Sequence, residues 1–378
     1  MTTSQIRTSI RTAIVGVGNC ASSLIQGVSY CRAMGPDAIG VSFPELAGYR
    51  PEDIELVAGF DVDARKVGLS LGEAALAAPN CTEVFHDQLD DQQARVMRGP
   101  DLDGVSAHML NQPEDRSFRL SLEPALAKDD IVSALRAAKA EVMVIFLPVG
   151  SHRAVEFYAE CAIEAGCALV NGIPVFIASN AVWAAKFKSA NLPVLGDDFK
   201  AQLGATVVHR TLTNLAEMRG VKIDRTYQLN VGGNTDFLNM SDMDRLAMKR
   251  ESKTEAVQAS MENRLDSTDI RIGPSDYVPW LNDRKVAYIR LEGRLFGGAR
   301  TNIELRLDVE DSPNAAAEAM AGIRCARIAL DRGLSGAINA ASAFLFKHPP
   351  EQIEDTDAHE ALLQFANSAD SGSNSGET

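Results

Sequence analysis

Short apolar runs alternate with helical patterns through the first half of the chain. Residues 12–15 (Thr-Ala-Ile-Val) run straight into Gly16-Val-Gly-Asn-Cys-Ala21, after which the spacing predicts a helix over 21–30. A second run at 55–60 ends on Asp61, and the intervening 27–52, mixed in polarity and broken by Gly and Pro, read as a surface excursion. A helix over 131–139 then leads into the continuous apolar run 141–147 (Glu-Val-Met-Val-Ile-Phe-Leu). Helix 153–165, closed by Gly166, precedes strand 168–171, and helix 181–189 precedes strand 193–195. Strands apolar on both faces belong to buried parallel sheets, and repeated β-α alternation predicts an α/β, doubly wound Rossmann-type sheet.

The texture changes near residue 201. A helix over 205–217 is followed by segments 225–231, 285–292 and 302–308 that alternate polar and apolar, which predicts an open mixed sheet with one wet face. An alanine-rich helix over 315–332 packs back on the first sheet. The expected organisation is a dinucleotide-binding domain (10–200 and 309–352), an inserted α+β domain (201–308) and an acidic C-terminal tail (353–378), partly disordered, above all over 369–378.

Charge and composition narrow the function. The net charge is −14, and no Lys or Arg follows Lys347, so the seven acidic residues of the last 28 carry half of the excess. An acidic chain without a basic stripe is not built for nucleic acid. No run of eighteen apolar residues and no signal-like N-terminus is present, so a soluble, cytoplasmic protein with no membrane contact is expected. Six scattered cysteines form no C-x-x-C pair, and neither they nor the histidines show metal-ligand spacing; no metal site is expected.

Candidate chemistry begins at the glycine turn. Gly16 suits a tight turn, Gly18 removes the side chain that would hold a pyrophosphate away, and Ala21 lets the helix pack closely, its first amides facing an anion. Cys20 reads as a small filler. Asp61, at the tip of the second strand, can accept both ribose hydroxyls of an adenosine and would repel a 2′-phosphate, favouring NAD; Arg65 and Lys66 nearby weaken the inference. The same residue could instead cap a helix over 62–71. Lys249 and Lys253 share one helix face, whether solvated or functional, and Lys347 lies among apolar residues where an ammonium needs an anion. Asp311-Ser-Pro-Asn314 reads as a helix start.

Several clusters together resemble the myo-inositol-1-phosphate synthase family in its short bacterial form: Gly16-Val-Gly-Asn-Cys-Ala-Ser22, Leu147-Pro-Val-Gly-Ser151, Asn171-Gly-Ile-Pro-Val-Phe-Ile-Ala-Ser179, Gly196-Asp-Asp-Phe-Lys200, Gly233-Asn-Thr-Asp-Phe-Leu-Asn239, Ser252-Lys253, Asp283-Arg-Lys285, Asp311-Ser312 and Ala343-Phe-Leu-Phe-Lys-His-Pro-Pro350. The resemblance spans residues 11–352. It implies a homotetrameric, NAD-dependent enzyme that isomerises D-glucose 6-phosphate to 1L-myo-inositol 1-phosphate by oxidation at C5, enolisation, attack on the C1 aldehyde and reduction, with no net cofactor turnover. It further implies that the inserted domain is catalytic and tetramerising. By the same resemblance Lys249 and Lys347 attend C5 and its proton, Lys253 the phosphate, and Lys285 the C1 oxygen and phosphate, with Asp198 orienting a lysine. Gly16, Gly18, Asn19, Cys20, Ala21, Asp61, Ser151, Asn234, Asp236, Asp311 and Ser312 are implied around the dinucleotide. Ala201 departs from the serine often found after Lys200. Two competing readings are an NAD-dependent dehydrogenase or reductase of the semialdehyde or dihydrodipicolinate type, and an NAD-bound regulator without catalysis; neither needs four converging lysines.

Overall fold

A computed structural model describes residues 9–89, 94–241, 247–259, 261 and 264–368, with the side chains of 247–252 and 274 left out of the description. The first half runs β1 (Ile10–Val15), α1 (Asn19–Met34), β2 (Ile54–Asp61), α2 (Leu71–Leu76), β3 (Val96–Arg98), α3 (Ala107–Leu110), α4 (Lys128–Ala137), β4 (Val142–Ile145), α5 (His152–Ala165), β5 (Ala168–Asn171), α6 (Ala181–Ser189) and β6 (Pro193–Leu195). The second half runs α7 (Ala205–Met218), β7 (Lys222–Gly232), α8 (Thr235–Met240), α9 (Ala247–Gln258), β8 (Ile270–Tyr277), β9 (Arg284–Arg294), β10 (Arg300–Glu310), α10 (Asp311–Asp331), β11 (Gly336–Ala337), α11 (Asn339–Leu345) and α12 (Asp355–Asn367).

Seven strands form one sheet in the order β11-β6-β5-β4-β1-β2-β3, every pairing parallel. Alternate residues of each strand serve opposite cores. Ile14, Val144 and Val170 pack under α1, α10 and α12, while Val15, Ile145 and Leu169 pack under α4, α5 and α6. The double-sided burial explains why these strands read as unbroken apolar runs. The order in which successive strands are added reverses between β1 and β4, and at such a switch point the carboxyl ends of the strands open into a crevice. Gly16 makes the turn there at φ +86°, and a Cβ on it would lie 2.8 Å from the Phe146 carbonyl oxygen.

The four remaining long strands form a second, mixed sheet in the order β10-β9-β7-β8, with α7 packed on the face that carries Ala287, Ile289 and Leu291. The predicted alternation in β7 is present, but its sense is inverted. Thr226, Gln228 and Asn230 are buried, whereas Leu229 is 40% exposed beside Tyr288, its cross-strand partner on β9, at 45%.

Other expectations need correction. No helix spans 62–71; the Asp61 carboxylate instead accepts the amides of Val62 (2.7 Å) and Asp63 (2.9 Å), bending the chain into a turn. Strand β8 was hidden by its Gly-Pro pair, and the two- and three-residue strands β11 and β3 are too short to leave a periodic signal. The acidic segment after 352 is not a loose tail as far as Ser368: α12 buries Ala358, Leu362 and Ala366 in the main core. Residues 369–378 lie outside the described residues. No described helix is long and apolar enough to cross a membrane.

His209 of α7 is fully buried against β7, its Nε2 2.7 Å from Thr226 Oγ1 and its Nδ1 3.3 Å from Gln228 Oε1. Burial pushes its pKa down from 6.5 to about 4. An unfolded chain therefore binds a proton first as the pH drops through that window, and stability falls with pH between roughly 6.5 and 4, by about 3 kcal/mol over the whole interval. In urea unfolding between pH 7 and 4.5 the wild-type protein is expected to lose stability more steeply than a His209→Gln variant; parallel pH dependences would refute the assignment.

Candidate active site

The crevice is walled by the carboxyl ends of the parallel strands on one side and by the second sheet on the other. Gly16, Gly18, Asn19, Cys20 and Asp61 line it from the first side together with the turn after β4; Gln228, Asn230, Asn234, Asp236, Lys253 and Lys285 line it from the second. Asp198, Lys347, Asp311 and Ser312 close it where the chain passes back between them.

Each cation is held by geometry. Lys347 follows α11 and donates from Nζ to Asp198 Oδ1 (2.7 Å) and to the Phe199 carbonyl (2.5 Å). Phe199 and Phe346 stack at 4.7 Å beside it, so the ammonium sits against an apolar wall. Lys285, near the start of β9, donates to Asp311 Oδ1 at 2.7 Å. Lys253 reaches the crevice from α9 and is buried. Lys249 lies on the same helix one turn earlier, but its side chain falls outside the described residues.

One carboxylate organises the opposite corner. Asp283 accepts from Asn234 Nδ2 (2.8 Å), from the Ser312 amide (3.0 Å) and from the Ser312 hydroxyl (2.9 Å). Burial and the nearby Asp311 charge push its pKa up to about 6, against the pull of those donors. Asn234 in turn caps α8, its Oδ1 accepting the amides of Asp236 and Phe237. Cys20 Sγ lies 3.8 Å from Ser312 Oγ, and burial together with Asp311 and Asp283 raises its thiol to about 12, so it stays protonated and acts as filler.

Around the glycine turn, Asn19 Oδ1 accepts the amides of Cys81 (2.7 Å) and Thr82 (3.2 Å), and Asp61 Oδ2 accepts that of Val17 (2.7 Å). The two nearby cations are committed elsewhere. Arg65 is paired with Asp63 and bonded to two carbonyls, while Lys66 donates to the Val17 carbonyl (2.7 Å) and to Asn80 Oδ1 (2.8 Å), its pKa lowered by burial. Two expected residues stand behind the wall: Ser151 is buried with its hydroxyl donating to the Pro148 carbonyl at 2.5 Å, and Ala21 packs in the core. They shape the turns and do not face the crevice.

The sequence leaves Gln228 and Asn230 unmarked, and Asp283 stands out there only as part of the Asp283-Arg-Lys285 cluster. Gln228 Nε2 donates to Asn230 Oδ1 at 3.1 Å, and Asn230 Nδ2 and Ser275 Oγ, on paired positions of β7 and β8, have no partner among the described residues. The Thr-x-Gln-x-Asn stripe is visible in the sequence, but which face of the strand is buried is not, because period two leaves that open.

The family model described as myo-inositol-1-phosphate synthase matches residues 204–312, the stretch that supplies Asn234, Lys253, Lys285 and Asp311. Inositol-3-phosphate synthase of Corynebacterium glutamicum is 50% identical over 364 residues, covering 94% of this chain and 98% of that one. The enzyme of the same name from Mycobacterium tuberculosis H37Rv is 49% identical over 361 residues, covering 95% and 96%. Among solved structures, that of Ari2 is similar with a TM-score of 0.77 at 34% identity, over 95% of this chain and 98% of that one. Half-identity across nearly the whole length of both chains means that this chain belongs to the myo-inositol-1-phosphate synthase family.

Proposed function

We propose that the protein converts D-glucose 6-phosphate to 1L-myo-inositol 1-phosphate, using NAD that is restored within each turnover. The observation that carries the reading is the convergence of Lys253, Lys285 and Lys347, from α9, β9 and the turn after α11, on the crevice beside the glycine turn. A simple dehydrogenase of the semialdehyde or dihydrodipicolinate type needs no such cluster, and a sensor has no use for it.

The crevice fits a dinucleotide. A Cβ on Gly18 would meet nothing within 4 Å, so the backbone there is open to a close ligand, and the first turn of α1 leaves amides without intrahelical partners. Gly16, Gly18, Asn19 and Asp61 would hold its adenosine and diphosphate, and Asn234, Asp236, Asp311 and Ser312 its nicotinamide ribose, with both cations near Asp61 already spoken for. When bound, the dinucleotide supplies a hydride acceptor and, later, the donor.

The remaining work falls to the chain's own side chains. An ammonium beside the C5 oxygen stabilises the enolate formed when a C6 proton leaves, and another beside the C1 oxygen stabilises the alkoxide formed on ring closure. Lys347, oriented by Asp198, and Lys249 take the first role; Lys285, steadied by Asp311, takes the second and shares the phosphate with Lys253. The C6 proton passes to a basic group of this cluster.

Assembly as a homotetramer fits the outer face of the second sheet, where Leu229 and Tyr288 stand side by side. A cytoplasmic site of action fits six unpaired thiols.

Incubation with NAD and glucose 6-phosphate is expected to yield inositol phosphate by NMR, with no rise at 340 nm stoichiometric with product; a stoichiometric rise would make the protein an ordinary dehydrogenase. Lys347→Ala should keep NAD affinity within about threefold and lose about 10²–10³ in kcat, the cost of deleting one oxyanion donor. Near-normal turnover would remove Lys347 from the mechanism. A Leu229→Lys/Tyr288→Lys variant should run as a smaller species in light scattering, and an unchanged mass would move the interface elsewhere.

A further inference from the structure

Outside the crevice, one buried charge cluster has no part in the reaction as described. Lys200 and Arg210, both nearly inaccessible, share the carboxylate of Asp355 in the first turn of α12: Lys200 Nζ donates to Oδ1 at 2.9 Å and Arg210 Nε to Oδ2 at 2.7 Å. Two buried cations on one carboxylate are tolerated only while that carboxylate stays in place, because removing one member leaves an uncompensated charge in low dielectric. The carboxyl pKa of Asp355 is held down by the two cations, so it stays ionised through the neutral range.

The other bonds of the two cations lead to the two halves of the lysine cluster. Arg210 donates from Nη1 to the carbonyl of Ala256 on α9, three residues past Lys253, and from Nη2 to the Ile353 carbonyl at 3.2 Å. Lys200 donates to the Ala343 carbonyl at 2.7 Å and closes the segment that carries Asp198, the partner of Lys347. The branches are unequal. Lys200 also feels the charge of Glu318, whereas Arg210 makes no other ion pair among the described residues. Loss of Asp355 therefore falls chiefly on Arg210, and through it on α9.

We infer that Asp355 is a positioning residue: the C-terminal helix, through Arg210, fixes the height of α9 and thereby the reach of Lys253 into the crevice. The inference rests on the reading of that crevice as a sugar-phosphate site. It assigns a role to a segment whose composition suggests only a solvated acidic tail.

Asp355→Asn keeps the shape and removes the charge, and Arg210→Lys keeps the charge and removes the fork. In the full-length enzyme each is expected to raise the KM for glucose 6-phosphate about tenfold or more, to change kcat by less than about threefold, and to leave the NAD Kd, read by tryptophan fluorescence, within about twofold. Amide exchange over 253–258 should quicken while that over α1 is unchanged. Asp357→Asn, an exposed neighbour on the same turn, should do none of this. An unaltered KM and unaltered α9 exchange, or an equal loss of sugar-phosphate and NAD affinity, would overturn the inference. If neither variant folds, native-state exchange of the wild-type protein decides: clamped elements open together, so amides of 253–258 and 355–367 should share one opening free energy, and separate openings would refute the link. Both exchange measurements need no substrate, so they stand even if the wild-type enzyme turns over a different sugar phosphate.

Discussion

Asp283 is the buried carboxylate on which the meeting of the two sheets depends. The sheets share no hydrogen-bonded strand, so their relative placement must come from side chains and from the segments passing between them. Asp283 supplies the joint: its carboxylate takes Asn234 from the turn before α8 and Ser312 from the start of α10, and its carbonyl takes the Asp311 amide at 3.0 Å. Asp311 then fixes Lys285, and Ser312 touches Cys20 in the glycine turn. Three donors converge on one charge that burial alone would neutralise. Removing it would strand Asn234 and Ser312 without an acceptor in the interior. The glycine turn, the α8 cap and the return helix α10 are thus one assembly, and the crevice exists because they meet there.

Strand β7 shows what that crevice demands of the sequence. Polar side chains inside a sheet are tolerated only when bonded, and His209 meets the requirement by spanning Thr226 and Gln228 while Gln228 bonds Asn230. The chain spends three inward positions on polar groups and places Leu229 outside, the reverse of what a sheet selected for stability alone would choose. Local rules that fail at one place and hold around it point to a functional site. Two atoms at the end of this stripe, Asn230 Nδ2 and Ser275 Oγ, have no partner among the described residues.

Legibility tracked the locality of the signal. Apart from the short α2, β3 and α3, the β-α alternation through β6 is readable because the longer parallel strands are buried on both faces and their helices carry an apolar stripe, both visible within a dozen residues. The predicted helix 181–189 coincides with α6, which Asn180 opens in the structure, its side chain accepting the amides of Val182 and Trp183. Lys285 and Lys347 were singled out by family pattern, but that they meet Asp311 and Asp198 is a long-range fact that no spacing contains. The face inversion of β7 was unreadable for the same reason, since period two fixes alternation and leaves open which side is in. Strand β8 was lost because Gly273 and Pro274 look like a break, although one parallel neighbour on one side is enough to carry it.

The acidic C-terminal segment exposes a different weakness, that of reading charge as an average. Half of the excess negative charge lies after residue 350, yet one of those carboxylates is shared by two buried cations and contributes nothing to a solvated tail. An anion approaching the crevice is governed by the same distinction. Screening confines a surface charge to about 8 Å at physiological ionic strength, so distant carboxylates on an acidic protein oppose a sugar phosphate little once it is close. Within the crevice Lys285 and Lys347 each face a carboxylate at 2.7 Å, so the charge an approaching anion meets there is set by those pairings. An overall charge of −14 therefore does not describe the crevice, whose field follows from which ions are buried together, a property of the fold that no sum over the sequence contains.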